Sequence, residues 1–165
     1  MEPPPEEINF RILVVCTGNL HRSPFAEAVL LRRLGELGLT DVAVESAGLA
    51  APEGEPCPVE VVQAAAEWDI DLSSHRARQV NGYMMREADL ILTLERYHFT
   101  ALATAFPADR EKLHLLSVFD QDENPEDIPD PAEMDGEGLR AAYRRIALCA
   151  AALAEYYAEP LQEDE

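Results

Sequence analysis

Ile12-Leu13-Val14-Val15-Cys16-Thr17-Gly18-Asn19-Leu20-His21-Arg22-Ser23-Pro24 is the stretch that decides the fold. Its first four residues are continuously apolar and lie within a β-rich run from Ile8 to Val15, as expected of a central strand covered on both faces. At the other end, Ser23 can act as N-cap with Pro24 at the first helical position. Phe25, Val29, Leu30, Leu34 and Leu37 then recur at helical spacing until Gly38. A strand, a tight loop and a helix in this order set the loop amides at a helix N-terminus, where unpaired N–H groups and the helix dipole hold an anion.

The pattern continues outward. A second strand is predicted at Val42 to Glu45, and a second helix at Pro58 to Trp68 with Val59, Val62 and Ala66 on one side. Ala88 to Leu94 reads as a third strand, Arg96 to Phe106 as a helix and Lys112 to Leu116 as a fourth strand. A polar loop from about Asp120 to Asp135 precedes a last helix at Gly138 to Tyr157, whose apolar stripe is Leu139, Tyr143, Ile146, Ala150, Leu153 and Tyr157. Such alternation implies an α/β fold: one four-stranded parallel sheet with helices on both faces and the phosphate-binding loop after the first strand. Ligands in these folds sit beyond the C-terminal strand ends, where Cys16 falls. Residues 8–160 read as one domain, flanked by solvated acidic tails at 1–7 and 161–165. Met84-Met85 and Tyr156-Tyr157 read as packing residues.

Composition narrows the function. A chain of 165 residues with 47% hydrophobic content suits a single core. No stretch approaches the roughly 18 apolar residues of a membrane span, and the N-terminus lacks the pattern of a signal peptide, so a cytoplasmic protein without a membrane partner is expected. Cys16, Cys57 and Cys149 are too far apart for a zinc pattern and are odd in number, which fits free thiols in a reducing compartment. With 13 basic against 32 acidic residues, the net charge of −19 opposes nucleic acid. It opposes any anionic substrate too, so a phosphate site must rely on local amides and a buried arginine. No clustered ligand set calls for a metal or other cofactor.

The loop has the parts for covalent phosphate chemistry. A thiolate attacks phosphorus usefully when its pKa lies below the free value of about 8.5, and Cys16 lies just before a helix N-terminus. Gly18 permits a sharp loop conformation. Arg22 can curl back so that its planar fork binds two phosphate oxygens, and Ser23 can donate a hydrogen bond to the sulfur. The bland alternative is a buried structural cysteine with a surface arginine nearby. A general acid must protonate the leaving oxygen. Asp130, held extended between Pro129 and Pro131, suits that task, but on composition Asp120, Asp122, Asp127 and Asp135 are equal candidates.

From Ile12 to the last helix the chain resembles the low-molecular-weight protein tyrosine phosphatases. The resemblance is carried by Val15 to Pro24, Ser46-Ala47-Gly48, Ser74-His75-Arg76-Ala77-Arg78, Ala88-Asp89-Leu90-Ile91-Leu92 and Asp130-Pro131. It implies hydrolysis of phosphate monoesters, protein phosphotyrosine foremost, through a cysteinyl-phosphate intermediate. Cys16 would be the nucleophile, Arg22 the clamp and Asp130 the general acid, with Thr17, Gly18, Asn19, Leu20, His21, Arg22 and Ser23 cradling the phosphate. Asn19, Ser46 and His75 would brace the loop. The partner would be a phosphorylated protein or a small phosphate ester, in an unspecified oligomeric state.

Three residues depart from the family pattern. His21 replaces a second loop cysteine, Ala132 replaces the aromatic after Asp-Pro, and Leu49-Ala50-Ala51 carries no aromatic. These predict a weaker grip on a phenyl ring with the phosphate chemistry unchanged. A protonated His21 beside the sulfur would lower the thiolate pKa further. Rival readings are arsenate reduction, which Cys57 and Cys149 do not suit because they are not a closely spaced pair, and phosphoarginine hydrolysis, for which related enzymes carry threonine in place of Leu20. A phosphate-binding module without turnover would not need Cys16, Arg22 and Asp130 together.

Overall fold

The computed structural model describes residues 7–120, 126–131 and 135–163, the last five by backbone only. Among these, β1 (Phe10–Cys16), β2 (Val42–Gly48), β3 (Leu90–Thr93) and β4 (Leu113–Leu115) form one parallel sheet in the order β2-β1-β3-β4. Around it lie α1 (Ser23–Glu36), α2 (Val59–Ala66), α3 (Gly82–Glu87), α4 (Arg96–Ala105) and α5 (Gly136–Glu163), with 3-10 turns at Pro107–Lys112 and Leu116–Phe119. None of the described helices is long and apolar enough to cross a membrane.

The strand alternation sorts the core into two layers. Ile12, Val14, Cys16, Leu90 and Leu92 pack with Phe25, Leu30 and Leu34 of α1, Val61 of α2 and Tyr143, Ile146 and Leu153 of α5. Leu13, Val15 and Ile91 face the other way, onto Met85 of α3 and Leu102 of α4. Helices therefore cover both faces, and β1 is continuously apolar from Ile12 to Cys16, where both of its faces are buried. The connections from β1 to β2 and from β2 to β3 place the neighbours of β1 on opposite sides. The point where the strand order reverses is thus the C-terminal end of β1, where Cys16 stands and where sheets of this kind bind ligands.

The sequence reading needs correction in several places. The buried side of α2 is Val61, Ala64 and Ala65, while Val59 is exposed, because the helix begins after Pro58 and turns a different edge inward. Helix α3 escapes periodicity analysis, having only six residues, and is started by Asn81, whose side chain accepts from the Met84 amide. Strand β2 continues past Glu45 to Gly48, because Val14, Val15 and Cys16 pair with the small residues Ser46, Ala47 and Gly48. Helix α5 starts at Gly136 and runs to Glu163, so residues 161–163, read as tail, are its last residues.

Candidate active site

Strand β1 delivers Cys16 to the sheet edge, and the chain then turns sharply enough to aim donors at its sulfur. Asn19 takes φ 56°, a left-handed conformation that asparagine tolerates better than most residues. Gly18 does not adopt a positive φ, so the special backbone position is Asn19 and not the glycine. In this turn the Asn19 amide donates to Cys16 Sγ at 3.3 Å. Ser23 Oγ lies 2.9 Å from the same sulfur. That hydroxyl accepts from Asn19 Nδ2 at 2.8 Å, and the Ala47 carbonyl is 3.4 Å away, so the shorter contact to the sulfur favours the Ser23 hydroxyl as donor to it. Ser23 is thus the first residue of α1 rather than its N-cap, which is Arg22 without a side-chain cap. Two donors on one sulfur suit a negatively charged acceptor.

Asn19 is completely buried and ties the loop to two other segments. Its Nδ2 also donates to Ser46 Oγ at 2.9 Å, and Ser46 donates onward to Glu27 Oε1 at 2.7 Å. Its Oδ1 accepts from the Arg78 amide at 2.9 Å, and its carbonyl oxygen lies 2.8 Å from His75 Nε2. Asn19, Ser46 and His75 therefore meet in one network behind the loop. Strand β2 closes against the loop at Gly48, where an added Cβ would lie 2.7 Å from the Thr17 carbonyl oxygen and 2.9 Å from the Asn19 nitrogen. The Leu49 and Ala50 amides donate to the Cys16 and Thr17 carbonyls at 3.0 and 2.9 Å, which sets residues 49–50 along the loop edge.

Arg22 is 1% exposed and makes contacts on several sides. Its Nη1 donates to the Ile128 carbonyl at 2.8 Å and lies 3.1 Å from Glu95 Oε2, while Nη2 lies 3.6 Å from Asp130 Oδ2. Its Nε is buried and has no hydrogen-bond partner among the described residues. Asp130 is thus brought to Arg22 across more than a hundred residues of chain, and its side chain remains 42% exposed. Of the other candidate acids, Asp127 takes the Arg96 amide at 2.7 Å and Asp120 faces Arg145. Asp135 accepts from the Gly138 amide at the start of α5. Asp122 and Ala132 lie outside the described residues.

Sequence reasoning missed three residues of this site. Glu95 and His98 begin α4 in a reciprocal capping box, and the Glu95 amide donates to His98 Nδ1 at 3.1 Å. The ring proton is therefore on Nε2, 2.9 Å from Thr17 Oγ1 and 3.3 Å from Glu95 Oε2. Burial, helped by the Arg22 charge, pushes the His98 pKa down to about 4. The available signal was a Glu-x-x-His spacing directly after an apolar strand. Tyr143 carried no such signal: it belongs to the stripe of α5, stacks on Phe25 at 3.9 Å and also donates its hydroxyl to the His21 carbonyl at 2.6 Å. Burial lowers the His21 pKa below its ordinary value, which works against a protonated ring beside the sulfur. Cys57 and Cys149 are buried free thiols.

Similarity to known proteins identifies the family. The low molecular weight phosphotyrosine protein phosphatase family matches residues 11–164. The low molecular weight protein-tyrosine-phosphatase Wzb of Escherichia coli (strain K12) is 41% identical over 132 residues, covering 80% of this chain and 84% of that protein. Among solved structures, Vibrio vulnificus Wzb in complex with benzylphosphonate superposes with a TM-score of 0.80 at 33% identity, covering 89% of this chain and 98% of that one. The YwlE arginine phosphatase from Geobacillus stearothermophilus gives 0.84 at 31% identity, covering 95% and 98%. With its sheet, its loop and nearly its whole length matched, the chain belongs to the low molecular weight phosphotyrosine protein phosphatase family.

Proposed function

We propose that the protein hydrolyses phosphate monoesters, with protein phosphotyrosine as the main substrate class, through a phosphocysteine intermediate on Cys16. The observation that carries this reading is a sulfur holding two hydrogen-bond donors beside a buried guanidinium whose Nε has no partner among the described residues. In the first step Cys16 Sγ attacks phosphorus, the S–P bond forms and the P–O bond to the leaving group breaks. The amides from Thr17 to Ser23 and the Arg22 fork take up the charge on the three remaining oxygens. Asp130 gives its proton to the departing oxygen; in the second step it takes a proton from the water that attacks phosphorus, and the S–P bond breaks to release phosphate and return Cys16 as thiolate. Asn19, Ser46 and His75 hold the loop so that none of this requires rearrangement. Leu20 and His21 form the half-buried side of the cradle.

Phosphotyrosine is supported by the relatives named as protein-tyrosine-phosphatases, and phosphoarginine by the arginine phosphatase neighbour. Leu20, an apolar residue in the loop, favours the first. Three free thiols suit a cytoplasmic setting. The test is steady-state turnover of peptides carrying phosphotyrosine, phosphoserine or phosphoarginine. A kcat/KM for phosphotyrosine at least tenfold above the others is expected, and a preference for phosphoarginine would overturn the substrate assignment.

A further inference from the structure

Asp130 is half in solvent and held between two prolines, so its aim depends on what anchors residues 126–128 as well as on its pairing with Arg22. Three anchors come from the sheet side. The Ile128 amide donates to the Leu94 carbonyl at 2.8 Å, the Ile128 carbonyl accepts from Arg22, and Asp127 Oδ1 accepts from the Arg96 amide. The fourth comes from the opposite side. Arg145 of α5 donates from Nη1 to the Asp127 carbonyl at 3.1 Å and from Nη2 to the Glu126 carbonyl at 3.4 Å, while its Nε faces Asp120 Oδ2 at 3.5 Å. The planar fork thus grips two consecutive carbonyls with two separate nitrogens held in one fixed geometry. Its base is rigid, since the neighbouring Ile146 is fully buried in the core.

We propose that Arg145 is a positioning residue of the reaction: it clasps residues 126–127 from α5 and so aims the Asp130 carboxyl at the leaving oxygen. This rests on the reading of Asp130 as the proton donor. Glu126 and Asp127 are exposed, so water can replace Arg145 on their carbonyls and the fold loses little. What is lost is the constraint on direction, and a catalytic group has to be held within about 0.5 Å.

The experiment measures kcat/KM, which reports on thiol phosphorylation, for aryl phosphates spanning good to poor leaving groups. It compares the parent enzyme, Arg145→Met, Arg145→Lys, Asp130→Asn and the Asp130→Asn, Arg145→Met double variant. General acid catalysis contributes roughly 10²- to 10⁴-fold. Arg145→Met is expected to lose about tenfold of that with phenyl phosphate and less than about twofold with a nitrophenyl phosphate, with competitive inhibition by inorganic phosphate unchanged. Arg145→Lys should lie between Arg145→Met and the parent, and it carries the test if Arg145→Met does not fold. In the Asp130→Asn background, Arg145→Met should have no further effect. Uniform slowing of all substrates, or additivity in the double variant, would overturn the role of Arg145 while leaving Asp130 in place. If Asp130→Asn itself shows no leaving-group dependence, the underlying reading of Asp130 is what fails.

Discussion

Adding one methyl group at Gly48 tests how the phosphate loop keeps its shape. A Cβ there would stand 2.7 Å from the Thr17 carbonyl oxygen and 2.9 Å from both the Asn19 nitrogen and the Gly18 carbonyl carbon. These are about 0.5 to 0.7 Å inside ordinary contact, and every atom met is backbone, so no side chain can swing aside. Gly48 itself is held by the pairing of β1 with β2 and by bonds from its amide to the Arg78 carbonyl and from the Val80 amide to its own carbonyl. The loop is therefore the part that moves. Overpacking of this kind costs about 1 to 3 kcal/mol, which for a domain of this size lowers the melting midpoint by roughly 2 to 4 °C per kcal/mol. A displacement of half an ångström in the cradle lowers kcat/KM by about ten- to a hundredfold. Gly18→Ala is the matched control, because Gly18 has no positive φ and a Cβ there meets nothing within 4 Å. Thermal denaturation and kcat/KM on an aryl phosphate should show Gly48→Ala destabilised and slow, and Gly18→Ala stable within about 0.5 kcal/mol. A Gly48→Ala variant with the parent's midpoint and rate, or a Gly18→Ala variant that is the less stable of the two, would refute the argument.

Other expected outcomes follow from the same site. Cys16→Ser should lose turnover yet keep part of its phosphate or vanadate affinity by calorimetry, because the amides remain while the hydroxyl does not ionise near neutral pH; appreciable turnover in Cys16→Ser would remove the nucleophile assignment. Arg22→Lys should be severely slowed, since a point charge cannot replace the fork that reaches Ile128, Glu95 and the neighbourhood of Asp130. His98 resists protonation in the folded state, with its pKa pushed down to about 4 from 6.5. Between those pH values the unfolded chain binds a proton that the folded one does not, so stability falls as pH falls, by up to roughly 3 kcal/mol from this group. Above pH 6.5 its slope fades, and by about pH 7.5 it is nearly gone. Denaturant titrations from pH 7.5 to 4.5 should show a shallower pH dependence in His98→Gln, and identical slopes would exclude His98 as the source. Peroxide should inactivate the enzyme with incomplete recovery in dithiothreitol, because Cys57, its thiol pushed up to about 11 by burial, is nearly all protonated and resolves a Cys16 sulfenic acid poorly. Cys57→Ala should recover to the same extent, and a clear loss of recovery in that variant would show that Cys57 closes a disulfide with Cys16.

Much of this was legible in the residues because it is local. The run Ile12 to Val15 could only be a strand buried on both faces, and the loop after it could only sit at a helix N-terminus. The stripe of α5 from Leu139 to Leu153 is buried as its period requires. Cys16, Arg22 and Ser23 are joined by a short loop, so their meeting follows from one local geometry. The stripe of α2 was misread for the complementary reason: in a short helix rich in alanine and valine, several edges are equally apolar, and the packing partner chooses among them.

What joins the rest of the site is long-range contact, and spacing along the chain does not encode it. Composition could not choose Asp130 over its neighbours. The fold separates them, because Ile128 is buried against Leu94 and its carbonyl takes Arg22, which leaves Asp130 the carboxylate of residues 126–131 facing the guanidinium, while Asp127 is used by the Arg96 amide. His98, Tyr143 and Arg145 read as ordinary helix residues and Glu95 falls between a strand and a helix, and each acquires its role from the loop that the sheet sets before it. Asn19, and not Gly18, bears the left-handed turn because its side chain can satisfy Ser23, Ser46 and Arg78 at once in a fully buried place. Local residue chemistry determined the strand, the loop and the place of Cys16 at its start. Tertiary structure decided which carboxylate faces Arg22, which side chains tie the loop down and which glycine stands against it, because burial and hydrogen-bond satisfaction are properties of several segments together.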